Sequence, residues 1–286
     1  MGAAQPQDNR TEIDGLNIHY VEWTGDGPTL VCLHGLTANC RYFDSLGESL
    51  VPEYRVIAYD LRGRGESDKP KSGYNLISHT IDLEAFLNAL SLERVVLVGH
   101  SLGAAIAGLF TARSPAKVDR LVLIDGGAST APQERERIYA TVQPLVQRLE
   151  ASYKSLDEYL ETVKSVYGLY NWSRWMQTTY SFDVTVHDDG SVTPRLRAEV
   201  AVEDLTALVN YDISAALSTI ACPALLLWAP EGFSGAPPLL SGEAARAIAN
   251  AIPDCELVGV NGANHVTILL AQPSPIAEVI REFLKR

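Results

Sequence analysis

The fold of this chain is decided by residues 95–110, which read VVLVGHSLGAAIAGLF. The first four residues form an apolar run of strand length, and the last seven are typical of a helix. Between them, residues 99–103 match the pattern G-x-S-x-G, which places a serine on a sharp turn between a strand and a helix. Free amides and the positive end of the helix dipole then lie beside the Ser101 hydroxyl. We therefore predict that Ser101 is a nucleophile; the alternative is a plain turn in which Ser101 only caps the helix.

Other apolar runs along the chain alternate with helical patterns. Continuous apolar strands separated by helices are typical of a parallel sheet that is covered on both faces. The sequence therefore predicts an α/β fold with a mostly parallel central sheet and helices on both faces. The predicted elements are a hairpin over 11–24 around Asp14-Gly15, strands over 29–33, 54–59, 118–124, 224–228 and 256–260, and helices over 76–90, 242–251 and 274–285.

The alternation of strands and helices stops in the middle of the chain. Between about residues 129 and 216 there are no apolar strands, and amphipathic helical patterns cover 133–150, 155–167 and 197–210. A helical insertion at the carboxyl ends of a parallel sheet lies above the crevice where ligands bind. We therefore predict a core formed by residues 1–128 and 217–286 and a helical lid over residues 129–216.

Four groups of residues together resemble the α/β-hydrolase family. They are His34-Gly35 after one strand, the run DLRGRGES over 60–67 after the next, the serine turn at 99–103, and Asn264-His265 after the last strand. The resemblance covers the core on both sides of the insertion. It implies that His265 is the general base, because a serine hydroxyl is a weak nucleophile at neutral pH.

The resemblance also implies the remaining parts of an acyl-transfer site. The backbone amides of Leu36 and Leu102 are the expected oxyanion donors, and His34 and His100 are expected to shape the site without carrying protons. The aromatic residues of the lid could line a substrate pocket or form the lid's own core, and Trp172 and Trp175 are the candidates for the pocket.

The acidic partner of His265 has two candidates. In most relatives a carboxylate follows the strand after the lid, but Gly232 stands where that aspartate is expected, with Glu231 beside it. A second arrangement, used by some bacterial esterases of this fold, places the acid at the end of the strand before the lid, where Asp125 lies. We predict Asp125 and keep Glu231 as the alternative, because a carboxylate from either strand end could reach the far ring nitrogen of the histidine.

Composition excludes several other classes of protein. A net charge of −12 disfavours nucleic acid or an anionic membrane as a partner. Four scattered cysteines, with no paired spacing, predict neither a metal site nor a disulfide framework. The amino terminus lacks the pattern of a signal peptide, so a cytoplasmic location is expected. The protein is expected to be a monomer or a homo-oligomer.

In the loop over 60–67, we expect Asp60 and Arg62 to form a buried ion pair.

These observations predict a cofactor-free serine hydrolase. Its substrate would be a small, largely apolar carboxylic ester, cleaved through a Ser101–His265–Asp125 triad and an acyl-enzyme. A lactonase, a thioesterase or an amidase uses the same triad, and a ligand-binding protein that retains the hydrolase shell is a further alternative. Haloalkane dehalogenases and epoxide hydrolases resemble the chain in architecture but carry an aspartate at the nucleophile position, so Ser101 argues against both.

Overall fold

Eight strands form one mixed sheet at the centre of the structure. The computed structural model describes residues 5–127, 132–169, 171–233, 235–271 and 274–286. The strands are β1 (Gln7–Ile13), β2 (Leu16–Trp23), β3 (Thr29–Leu33), β4 (Arg55–Tyr59), β5 (Val95–His100), β6 (Val118–Ile124), β9 (Ala224–Trp228) and β10 (Cys255–Gly259). Six neighbouring strands, in the order β4-β3-β5-β6-β9-β10, run parallel, and the antiparallel pair β1 and β2 extends the sheet at the β4 edge.

Helices cover both faces of this sheet, as the strand patterns predicted. One face packs on α2 (Leu76–Ala89), α3 (Leu102–Arg113) and α9 (Gly242–Ala251), and the other packs on α1 (Asp44–Leu50), α10 (Thr267–Leu270) and α11 (Ala277–Leu284). Alternate side chains of β5 enter the two cores, with Leu97 on the α3 side and Val96 and Val98 on the other. A strand that is buried on both faces reads as a continuous apolar run, which explains why residues 95–98 lack polar alternation.

The insertion between β6 and β9 is helical but contains a short hairpin. We call its described part, residues 132–169 and 171–217, the insertion; the predicted boundary at residues 128–129 lies outside the described residues. Its elements are α4 (Pro132–Gln147), α5 (Leu156–Tyr167), α6 (Arg174–Phe182), β7 (Val184–Val186), β8 (Val192–Pro194), α7 (Ala198–Asn210) and α8 (Ser214–Leu217). The hairpin was not predicted, because strands of three residues are too short to show an alternating pattern.

The expected ion pair between Asp60 and Arg62 is wrong. The guanidinium of Arg62 instead binds both carboxylate oxygens of Asp82 on α2, with each N···O distance 2.5 Å. Asp60 instead contacts the ring of His19 at 2.7 Å. Neighbouring charges in sequence therefore bind to two different elements, because the chain turns sharply after β4.

No helix within the described residues combines the length and the apolar character that crossing a bilayer requires.

The turn at Ser101 depends on two glycines that bring α3 against the sheet. A methyl group on Gly103 would lie 2.1 Å from the carbonyl oxygen of Leu33, and one on Gly99 would lie 2.3 Å from the carbonyl oxygen of Gly103. Both obstacles are backbone atoms, so they can be relieved only if α3 shifts away from the sheet.

We therefore expect Gly103→Ala to lower the free energy of unfolding by about 3 kcal/mol, because backbone atoms cannot yield to the added methyl group. Gly108→Ala in the same helix is the matched control, since its methyl group would meet only the end of the Leu217 side chain at 3.2 Å. That variant should remain within about 1 kcal/mol of the wild type. Urea unfolding followed by circular dichroism measures both values, and equal losses in the two variants would contradict this account.

Candidate active site

Ser101 occupies a strained position between β5 and α3. Its backbone has φ 56° and ψ −116°, a region that side-chain-bearing residues rarely adopt. The Ser101 amide donates to the carbonyl of Ile124 at 3.0 Å, and its own carbonyl accepts from the amide of Ala104 at 3.0 Å. Hydrogen bonds on both sides thus hold the strained residue, and they leave its side chain at the wall of a cavity.

Asp125 and His265 meet beside this serine. Oδ2 of Asp125 lies 2.6 Å from Nδ1 of His265, and Oδ1 accepts from the amide of Ala229 at 3.0 Å. A carboxylate oxygen accepts, so Nδ1 carries the proton of this hydrogen bond, and Nε2 is the ring nitrogen that can accept one. Both residues line the same cavity as Ser101.

The structure brings Asp125, and not Glu231, to the histidine. Asp125 is buried at the end of β6, and its amide donates to the carbonyl of Leu227 on β9 at 2.8 Å. Glu231 is exposed, and its backbone amide donates to the carbonyl of Ala263 at 3.0 Å. Strand order explains the difference, because β6 lies directly between the serine strand β5 and β9.

His100 holds the loop that carries His265. Its Nε2 donates to the backbone carbonyl of His265 at 2.9 Å, which places the ring proton on Nε2. Burial, followed by the proximity of His265, keeps the pKa of His100 well below its usual range, so the ring stays neutral. His100 is therefore a structural support, in agreement with the role that the resemblance implied.

The peptide between Gly35 and Leu36 is oriented by His34. Nδ1 of His34 donates to the carbonyl of Gly35 at 2.8 Å, and its Nε2 accepts from the amide of Leu61 at 3.0 Å. Burial lowers the pKa of His34 to about 4, so one nitrogen remains an acceptor at neutral pH. Leu36 lines the cavity next to Ser101.

Leu102 supplies the second predicted amide. It is the first residue of α3, and the amides in the first turn of a helix have no partner within the helix. The two predicted donors thus come from the loop after β3 and from the start of α3.

A mostly apolar cavity of about 120 Å³ adjoins Ser101. Its far wall is built from α4 and α7 of the insertion and from the loop before α9. The hydroxyls of Tyr42 and Tyr167 are held by Tyr180 at 2.9 Å and by Thr37 at 3.2 Å. The apolar side chains of the wall are Ile138, Val142, Leu145, Leu205, Leu208, Val209, Leu239 and Leu240.

Trp172 and Trp175, the predicted pocket residues, are not part of this cavity wall. Trp172 stacks on Tyr180 with ring centroids 5.7 Å apart, and its indole nitrogen donates to the side chain of Gln177 at 2.9 Å. Trp175 lies under the guanidinium of Arg174, 4.0 Å from its ring centroid. Both rings pack within the insertion and its contact with the core, so the structure does not place them at the wall of the Ser101 cavity.

The residues that form the wall were missed for an identifiable reason. Helical periodicity marked α4 and α7 as amphipathic, but it could not say whether their apolar faces meet the protein core or a cavity. The sequence analysis also missed Arg64 and Arg148, two buried cations that contact the loop after β3, because no local pattern shows which distant segment a charged side chain will meet.

One group of potential metal ligands exists within the described residues. The ligand atoms of His19, Cys40 and Asp60 lie within 4.8 Å of one another, and all three side chains are buried. However, the oxygens of Asp60 already accept from the amides of Cys40 and Glu66 and contact the His19 ring. We therefore assign the group a structural role, as hydrogen-bond partners that close the loop after β4.

Comparisons with known proteins relate the chain to one family. A family model described as alpha/beta hydrolase fold matches residues 28–271. A haloalkane dehalogenase of Mesorhizobium japonicum is 28% identical over 276 residues, which cover 92% of this chain and 86% of that protein. The crystal structure of an E-2-(acetamidomethylene)succinate hydrolase superposes with a TM-score of 0.86 at 23% identity, covering 99% of this chain and 100% of the other.

A further relative is matched over a shorter segment. An uncharacterized protein of Mycobacterium tuberculosis is 38% identical over 106 residues, which is 37% of this chain and 31% of that protein. The chain thus spans about a third of the length of this relative. From its family model and its fold, the chain belongs to the alpha/beta hydrolase fold family.

Proposed function

We propose that this protein is a serine hydrolase that cleaves small, uncharged, largely apolar carboxylic esters without a cofactor. One observation carries the proposal: the Asp125–His265 contact of 2.6 Å lies at the cavity that the strained Ser101 also lines. Nucleophilic acyl transfer requires three groups in this order: a carboxylate that orients the ring, an imidazole base and a serine nucleophile.

The first half of the reaction forms the acyl-enzyme. Oγ of Ser101 bonds to the carbonyl carbon of the ester while Nε2 of His265 takes the hydroxyl proton. The carbonyl oxygen becomes an oxyanion, which accepts hydrogen bonds from the amides of Leu36 and Leu102. Collapse of this intermediate breaks the bond to the alkoxy oxygen, and His265 returns its proton to the leaving alcohol.

The second half releases the acid. Water adds to the acyl carbon while His265 takes one of its protons, and a second oxyanion forms at the same amides. Breaking the bond to Oγ then frees the carboxylic acid, and the proton held by His265 returns to Ser101. Asp125 keeps the ring of His265 oriented, and its carboxylate stabilises the imidazolium that forms in both halves.

The cavity supports an uncharged substrate. Asp125 is the only carboxylate that lines the cavity within the described residues, and no lysine or arginine side chain does so. A substrate carboxylate would therefore be buried without a cation, which costs several kcal/mol. The apolar wall contributed by α4 and α7 instead stabilises a hydrocarbon chain.

We expect turnover of p-nitrophenyl esters with short acyl chains, and its loss in Ser101→Ala. The measurement is the release of nitrophenolate over a series of chain lengths, with the matching lactones, thioesters and amides as further substrates. A fluorophosphonate should label the wild type at Ser101 and leave Ser101→Ala unlabelled. Equal rates in both proteins on every substrate would refute the hydrolase and leave a ligand-binding shell.

The two candidate acids are separated by a pair of amide variants. Asp125→Asn should lower kcat by about 10⁴, because the histidine loses both its orientation and the partner of its positive charge. Glu231→Gln is the matched control and should remain within about threefold of the wild type, since Glu231 is exposed. A large loss in Glu231→Gln alone would assign the acid to the other strand end.

Charge selectivity tests the substrate class. We expect mono-p-nitrophenyl succinate to have a kcat/KM about 100-fold below that of p-nitrophenyl butyrate, because the free carboxylate of the succinate ester has no partner of opposite charge in the cavity. Equal kcat/KM values for the two esters would show that the substrate chain does not enter this cavity.

A further inference from the structure

Two successive backbone carbonyls beside the predicted oxyanion donor are held by buried arginines. They belong to residues 34–39, which we call the oxyanion loop. The carbonyl of Leu36 accepts from Nε and Nη2 of Arg64, both at 3.3 Å, and the carbonyl of Thr37 accepts from Nη2 of Arg148 at 3.3 Å. The side chains of Arg64 and Arg148 are 0% and 1% exposed, so each cation needs a partner of opposite charge.

Arg64 belongs to the core, but its charge partner belongs to the insertion. Nη1 of Arg64 lies 2.5 Å from Oδ2 of Asp204, which α7 contributes. The other oxygen of Asp204 lies 3.0 Å from Nε2 of His79 on α2. Burial alone would raise the pKa of Asp204, but Arg64 and His79 outweigh it and lower that pKa to about 2. The carboxylate is thus ionised at neutral pH.

Arg148 makes a corresponding pair of contacts, with the carbonyl of Thr37 and with a carboxylate, but it belongs to the insertion and not to the core. It directly follows α4 in the insertion, and its Nη2 lies 3.4 Å from Oδ2 of Asp183. Oδ1 of Asp183 accepts from the side-chain amide of Asn39 at 2.6 Å. A carboxylate of the insertion therefore binds the end of the oxyanion loop directly, and it also holds the arginine that binds Thr37.

These contacts join the position of the insertion to the geometry of the loop. A guanidinium fork is planar and rigid, so the oxygens that surround it decide where its nitrogens lie. With Asp204 in place, Arg64 is directed at the carbonyl of Leu36. Without a carboxylate, a fully buried cation would move toward water or other acceptors, and the loop would lose this support.

We propose that Asp204 and Asp183 are positioning residues, through which the seated insertion sets the oxyanion loop by way of Arg64 and Arg148. This inference rests on the proposed serine hydrolase activity. It assigns the insertion a part in stabilising the transition state, in addition to covering the cavity. An insertion that is displaced from the core would leave the serine and histidine in place but would loosen the loop that carries the amide of Leu36.

We expect Asp204→Asn to lower kcat about 30-fold while KM stays within about twofold, because the oxyanion contact strengthens only in the transition state. The substrate is the best p-nitrophenyl ester of the wild type, and rates are normalised to the active sites that a fluorophosphonate titrates. A trifluoromethyl ketone with the same acyl chain places its oxygen in the oxyanion hole when Ser101 adds to it. Its Ki should rise by the same factor as kcat falls.

Asp82→Asn is the matched control. Asp82 also pairs with a largely buried arginine, Arg62, on the loop after β4, but among the described residues no hydrogen bond or ion pair joins these two side chains to the oxyanion loop. Asp82→Asn should lose thermal stability, yet its kcat per active site and its Ki should remain within about threefold of the wild type. If Asp204→Asn behaves like Asp82→Asn, or if its kcat falls without a change in Ki, the proposal is overturned.

A second variant covers the case in which Asp204→Asn does not fold. Arg64→Lys keeps the positive charge beside Asp204 but replaces the fork with a single ammonium group, so the carbonyl of Leu36 loses its paired donors. It should show the same joint change in kcat and Ki, and wild-type values for both would refute the proposal. Failure of the proposed function is distinct, because the wild type itself would then hydrolyse no ester.

Discussion

The strained backbone of Ser101 is the constraint on which the rest of the site depends. A φ of 56° on a serine persists only because hydrogen bonds to Ile124 and Ala104 surround it and because glycines let α3 approach β3. That approach brings the first amides of α3 to the same point as the end of β5. The serine oxygen and the helix amides therefore come together as a consequence of one turn, without any flexible side chain having to position them.

Around this turn, neutral buried histidines act as rigid connectors. His34 and His100 each donate to one backbone carbonyl, and burial keeps the pKa of both below the usual range. A neutral ring offers one donor and one acceptor in fixed directions, which suits it to orient a peptide. The histidine that we propose to move protons is His265, whose ring contacts the carboxylate of Asp125 at 2.6 Å. The environment of each histidine ring, and not the residue type, therefore decides whether we assign it a structural role or a catalytic one.

The insertion contributes charged side chains as well as the apolar wall of the cavity. Its α4 and α7 helices close the cavity with hydrocarbon, while Asp183 and Asp204 bring two negative charges to buried arginines at the oxyanion loop. Buried charges are costly unless they are paired, so these contacts specify one seating of the insertion on the core. In our two proposals, the insertion thus both selects an uncharged substrate and positions the loop beside Ser101.

The sequence by itself determined the α/β class, most element positions and the serine turn, because strand and helix periodicities and the G-x-S-x-G pattern are local properties. It also placed His265 and the loop after β3 by their resemblance to a family. Four things were decided only by tertiary structure: that Asp125 and not Glu231 meets His265, that Arg62 pairs with Asp82, that Trp172 and Trp175 pack away from the cavity, and that Asp204 reaches Arg64. Each depends on which distant segments become neighbours. Strand order and helix packing result from the whole chain burying its apolar surface at once, so no local pattern can encode them.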